Sequence, residues 1–177
     1  MCCSPLFRRG ACLGLLVLVL ASGCTRQSPY AAPIEAATPT AYNLWRGKLA
    51  GVLTGDEWRW YDVAIQEFKY QLMLGTRTSG SEAIDEAVRT RIDGRPYADV
   101  VREGLQAYER RKAAERAELT ATIAINAKLK IKPDDTDMLR DFKAHQERLQ
   151  GNLAKVEEDL AAVRAELARL VGLGAKD

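Results

Sequence analysis

Beyond residue 24 the chain has no cysteine, because Cys2, Cys3, Cys12 and Cys24 are the only four. The remainder therefore has no disulfide framework and no thiolate to offer a metal. His145 is the single histidine, which excludes a site built on two imidazoles. Serine is scarce as well. Ser28 sits among prolines, and Ser79 and Ser81 stand where helix caps are expected, so no serine nucleophile with a histidine base emerges. The charges nearly balance, with 26 basic side chains against 24 acidic ones and a formal net charge of +2. Bulk attraction to nucleic acid is thereby excluded. No catalytic, cofactor or metal signature is present, and no catalysis is expected.

What is present begins with the leader. Arg8 and Arg9 precede an apolar stretch from Ala11 to Ala21, followed by Ser22, Gly23 and Cys24. A positive segment, a short apolar core and small residues are the three parts of a secretory signal. The core is too short for a permanent span, which takes roughly 20 residues. Ala21-Ser-Gly-Cys24 resembles the lipobox of bacterial lipoproteins, although Leu20 lies one position earlier than the pattern prefers. That resemblance implies cleavage after residue 23, acylation of Cys24, and attachment to a membrane through that lipid. Loss of Arg8 and Arg9 makes the basic residues equal in number to the 24 acidic ones. In enteric lipoproteins an aspartate after the cysteine signals inner-membrane retention. Here Thr25 follows, so the resemblance favours the outer membrane, with the chain facing the periplasm.

Residues 24–40 carry prolines at 29, 33 and 39. Proline removes backbone donors and restricts its predecessor. The expectation is an extended tether reaching roughly 50 Å at about 3.1 Å per residue.

From residue 41 the pattern is helical, and the expected fold class is all-α. A domain of about three short helices is expected over 41–95. The first spans Tyr42 to Val52. Thr54-Gly-Asp-Glu57 reads as a capping box opening the second, whose Trp58, Tyr61, Ile65, Phe68 and Leu72 share one face. Gly75 to Gly80 interrupts it. Ser79-Gly-Ser-Glu82 reads as another capping box, opening a helix with Ile84, Val88 and Ile92. Asp93-Gly94 ends that helix, and Pro96 suits the first turn of the next.

Residues 96–171 then predict a long antiparallel, coiled-coil-like hairpin. One arm runs from Pro96 to Ile131 and the other from Thr136 to Val171, with a turn at 132–135 and a flexible tail over 172–177. Leu139, Gln146, Leu153, Leu160 and Leu167 occupy one heptad position of the second arm. Phe142, Leu149, Val156, Val163 and Leu170 occupy the other. Folding back sets Leu129 near Met138, Ile125 near Phe142 and Leu105 near Val163. Ala113, Ala114 and Ala117 cover the middle of the seam thinly, which leaves room for weak homo-oligomerisation. Around Ile92-Asp-Gly-Arg-Pro-Tyr-Ala-Asp-Val-Val101 the chain resembles an uncharacterised family of small helical bacterial lipoproteins. That resemblance implies architecture alone.

Two readings stand for the aromatic cluster around Trp58. Trp45, Arg59 and Trp60 form an exposed platform for a partner, since aromatics and arginine dominate binding hot spots. Alternatively they belong to the core. The carboxylate pairs Asp56–Glu57 and Asp85–Glu86 occupy first turns, where acidic groups complement the helix dipole. Three roles fit these features. One is a structural or protein-binding module of the envelope, with an envelope protein as partner. Another is an assembly accessory resembling pilotins, which would need a hydrophobic groove in residues 41–95. The last is a coiled-coil spacer like the major outer-membrane lipoprotein, which is linked through a terminal lysine. Asp177 follows Lys176 here, which counts against the last.

Overall fold

The computed structural model describes residues 29–75, 80–129 and 136–174. Among them are five helices and no strand: α1 (Pro39–Leu49), α2 (Gly55–Gly75), α3 (Ser81–Ile92), α4 (Tyr97–Asn126) and α5 (Thr136–Gly174). The fold is all-α, as the periodicity predicts.

Helix α1 starts three residues before the expected Tyr42. The Thr38 hydroxyl caps it by accepting from the Ala41 N–H at 3.1 Å, and Pro39 occupies the first turn. Proline has no amide to leave unsatisfied there, so the residue taken as tether is a helix start. The Thr54–Glu57 capping box forms as expected. Glu57 N–H donates to Thr54 Oγ1 at 3.3 Å, and Thr54 N–H donates to Glu57 Oε2 at 2.8 Å. The α2 face it opens is buried at Tyr61, Ile65 and Phe68, with Trp58 and Leu72 at its margin. Ser79 lies outside the described residues. The N-cap of α3 is Gly80, which makes no side-chain cap bond.

Gly94 sits in the left-handed region at φ 71°, which lets the chain turn sharply from α3 into α4. Against that turn lies the segment expected to be a free tether. From Tyr30 onward it packs on the bundle as a strap. Ala98 N–H donates to Tyr30 O, Tyr97 N–H to Ala32 O, Ile34 N–H to Arg95 O, and Gly94 N–H to Ile34 O. Pro33 and Pro96 form an antiparallel bridge. Ile34 and Ala36 are buried, and Ala36 N–H donates to Asp93 Oδ1 at 2.6 Å. Proline forbids helix but not this pairing, because neither bridge proline has to donate.

Helices α4 and α5 form the expected antiparallel hairpin. Glu109–Arg164 (2.7 Å) and Lys112–Asp159 (3.1 Å) fix its direction, one position advancing as the other retreats. The arms are less equal than expected. Helix α4 ends at Asn126, with Ala127 as C-cap, while α5 continues to Gly174 through the first residues of the expected tail. Their lengths are about 45 Å and 58 Å at 1.5 Å per residue. Helix α2 runs alongside the first half of α4 and lies close against it at Ala64 and Gly104. The core lies at this end, where Tyr61, Phe68, Ile92, Tyr97, Leu105, Val163 and Leu170 are fully buried.

Candidate functional site

Of the two readings of the aromatic cluster, Trp45 follows the core one, being 3% exposed, and so is no part of an exposed platform. Its ring stacks on Tyr42 at 5.9 Å and meets Tyr61 at 5.6 Å. The α1 positions Trp45 and Leu49 are one turn apart and both are buried. Periodicity over so short a helix did not distinguish the inward face from the outward one. Arg59 and Trp60 do associate, the guanidinium lying 4.7 Å from the Trp60 ring centroid. Arg59 is exposed and Trp60 half-buried. Cys24 lies outside the described residues.

A concavity of about 770 Å³ runs along the outer face of α2. Trp58, Val63, Tyr70 and Met73 line it from α2, and Tyr108 closes it from α4. Arg111 fills one wall. Its guanidinium lies 5.1 Å from the centroids of both Tyr70 and Tyr108, and donates to Glu67 at 2.9 Å. Glu67 is only 3% exposed, so this pair fixes the arginine in place. Tyr70 and Met73 are exposed along the groove, and Arg59 stands at its edge. Apolar and aromatic walls with a few fixed charges suit a peptide or an amphipathic helix. The α2 sequence carries the signal for this groove, since Trp58, Tyr70 and Met73 are apolar groups partly outside the core stripe. Tyr108 and Arg111 are joined to it only by the fold.

A polar cluster near the strap has no forerunner in the sequence. Tyr30 of the strap donates to Glu57 of α2. Arg169 of α5 donates to the same Glu57 oxygen at 3.2 Å and forks onto Glu166 at 2.7 and 2.8 Å. Tyr97 donates to the Glu57 backbone carbonyl at 2.9 Å. Four elements meet here. Burial works against the Glu57 carboxylate, but hydrogen bonds from Tyr30 and Thr54 and the charge of Arg169 outweigh it and hold the pKa low. Burial and the neighbouring Glu57 push the Tyr30 phenol up. The Glu166 fork raises Arg169, keeping its charge secure. The cluster acts as a clamp that ties the strap to the bundle.

Other charged groups are also engaged. Arg91 and Arg95 both bind Glu103, and the Arg91 bond is foremost in holding that carboxylate low. Asp85 pairs with Lys69 at 2.6 Å. His145 is exposed on α5. Among the described residues no group of three or more His, Cys, Asp and Glu side chains is placed to hold a metal, and no helix is long and apolar enough to cross a membrane.

The α5 seam is buried in a gradient. Leu170 and Val163 are fully buried, and Val156 and Leu160 are 2% exposed. Leu167, Leu153, Leu149, Gln146 and Phe142 are half-buried, and Leu139 is exposed. The chain matches no protein-family model, no curated protein and no solved structure.

Proposed function

We propose that this chain is a lipid-anchored envelope protein, attached through Cys24 to the outer membrane and facing the periplasm, that acts by binding a protein partner. The leader ending at Ala21-Ser-Gly-Cys24 carries this reading. The strap refines it. Tyr30 is already clamped, so only residues 25–29 separate the acylated cysteine from the folded body. Even fully extended, that stretch spans about 20 Å at roughly 3.5 Å per residue. The clamped end of the bundle therefore sits close to the lipid headgroups, and the far end of the hairpin extends away from it. Attachment through more than one acyl chain makes release negligible, since each buried methylene contributes about 0.8 kcal/mol.

The groove along α2 is the surface proposed for the partner. Catalysis is not part of the reading, and one carboxylate of each pair noted in the sequence has a structural partner. Glu57 caps α2 and binds Arg169, while Asp85 binds Lys69. A pilotin-like assembly role is the second reading. It is favoured by a groove lined mainly from residues 55–73, inside the span where such a groove is needed.

Mass spectrometry of the mature protein, beside a Cys24→Ser variant that should retain its leader, tests the anchor. Mature protein without acyl mass rejects it. Capture from detergent-solubilised envelopes, with wild type and with Tyr70→Ala plus Met73→Ala, tests the groove. Recovery of a secretin that the double variant fails to hold supports the assembly role. A partner retained equally by both proteins rejects the groove.

A further inference from the structure

We infer that the pocket between α1, α2 and α3 binds a small monocarboxylate, with Arg89 as the side chain that receives the carboxylate. The pocket has a volume of about 230 Å³. Arg46 of α1, Asp62 and Lys69 of α2, and Asp85 and Arg89 of α3 bring five charges to its walls. Four of them are matched. Arg46 pairs with Asp62 at 3.4 Å, and Lys69 pairs with Asp85 at 2.6 Å. Arg89 is half-buried, and among the described residues no carboxylate pairs with it.

Arg89 stands apart from the other half-buried cations. Arg91 and Arg95 share Glu103, Arg102 binds Asp99, Arg111 binds Glu67, and Lys112 binds Asp159. Among the described residues, Arg89 is thus the one half-buried basic side chain without an acidic partner. A guanidinium withdrawn from part of its water and left unpaired gives up hydration that the hydrogen bonds of an anion restore. Its place in the last turn of α3, where cations complement the helix dipole, does not account for it. Arg91 shares that turn and still binds Glu103.

Charge and size define the ligand. Three basic groups against two acidic ones leave the walls at +1, so a single negative charge neutralises the pocket. The planar fork of an arginine meets a carboxylate at two points. Asp62 and Asp85 repel a dianion, which favours a monocarboxylate over phosphate. At about 30 Å³ per water, the pocket has room for roughly seven or eight waters. The occupant is therefore a small carboxylic acid, either free or as the last residue of a peptide. Asn43 and Gln66 offer side-chain amides to its polar groups, and the buried Val88 and Ile92 offer an apolar surface to its hydrocarbon. The pocket shares Asp62 and Gln66 with the groove along α2, but neither receives the carboxylate, so this inference does not rest on the proposed protein partner.

Saturation-transfer NMR on the full-length chain in nonionic detergent tests the inference, with N-acetylglycine as the probe. Wild type should bind the probe saturably. Arg89→Gln should weaken binding tenfold or more, with helicity unchanged by circular dichroism. Arg110→Gln, at an exposed position on α4, should leave binding unchanged. N-acetylglycinamide, which lacks the negative charge, should not bind. The inference is overturned if wild type shows no saturable binding, if Arg89→Gln binds as well, or if the amide does. Displacement of the probe by inorganic phosphate at lower concentration than by acetate overturns the carboxylate assignment. Should Arg89→Gln fail to fold, the Nε–H resonance of Arg89 in wild type replaces it. A shift of that resonance on titration supports the inference, and a fixed resonance at saturation overturns it. Acetate and N-acetyl-dialanine separate the two sources of the carboxylate. Tighter binding of the dipeptide supports a chain end, and tighter binding of acetate supports a free acid.

Discussion

Gly104 of α4 and Ala64 of α2 set the distance at which their helices cross. A Cβ placed on Gly104 would lie 2.6 Å from Ala64 Cα and 2.9 Å from Ala64 O. Backbone is the obstacle, and it does not rotate away. Gly104→Ala should therefore destabilise the fold by about 1–3 kcal/mol through overpacking. That outcome opposes helix propensity, which favours alanine by about 1 kcal/mol. Gly151 in α5 is the control, because a Cβ there meets nothing within 4 Å. Gly151→Ala should stabilise by up to about 1 kcal/mol. Urea midpoints for the two variants should move in opposite directions, and a shared direction would refute the crossing constraint.

The clamp predicts that the strap and the far end of the chain unfold together. Arg169→Ala removes the partner of both Glu57 and Glu166 and should cost about 1–3 kcal/mol. Hydrogen exchange at the Ile34 and Ala98 amides should accelerate in this variant, although both lie on other elements. Unchanged exchange there would mean that the strap is held without the clamp.

Acid should weaken the fold before any other titration does. Glu57 and Glu103 both have folded pKa values below the ordinary glutamate value. The unfolded chain therefore takes up protons first as pH falls past about 4.3. Their contribution is complete above that pH and is lost as pH drops through the folded values. Glu103→Gln should lower stability at neutral pH and flatten the acid limb of a plot of urea midpoint against pH. An acid limb as steep as that of wild type would reject the assignment. Lys112 runs the other way. Burial opposes its charge, but Asp159 and Glu115 outweigh that and raise it, so its contribution is lost only in strong base.

The burial gradient along α5 should be matched by a gradient of mutational cost. Leu160→Ala should cost roughly 2–5 kcal/mol, as should other truncations inside the core. Leu139→Ala, at an exposed position of the same repeat, should cost well under 1 kcal/mol in a monomer. Phe68→Ala should cost roughly 3–5 kcal/mol. Equal losses at Leu139 and Leu160 would mean that the distal seam is covered within one chain.

Local chemistry made much of this fold legible. The capping box at Thr54 and Glu57 is contained in four residues, and the α5 seam repeats often enough to reveal its face. Long-range relations were not legible. Tyr30 meets Glu57 and Arg169 across the whole chain, and nothing near any of the three indicates the others. The strap was hidden for a further reason. Its bonds to Arg95, Tyr97 and Ala98 are backbone bonds, available to almost any extended sequence, so proline spacing suggested a free segment equally well. Trp45 left two readings open because its aromatic character fits a binding surface and a core alike. Contact with Tyr42 and Tyr61 decides between them.

Mechanically, the strap makes the bundle resist tension in a direction-dependent way. A pull on the chain ahead of Tyr30, directed along the strap, shears all four of its backbone bonds to the α3–α4 turn and the start of α4 at once. The same pull directed outward peels them singly, beginning with the bond from Ala98 to Tyr30. In either geometry the load reaches the turn after α3 before it reaches α1, so the helix that buries Trp45 is shielded until the strap gives way.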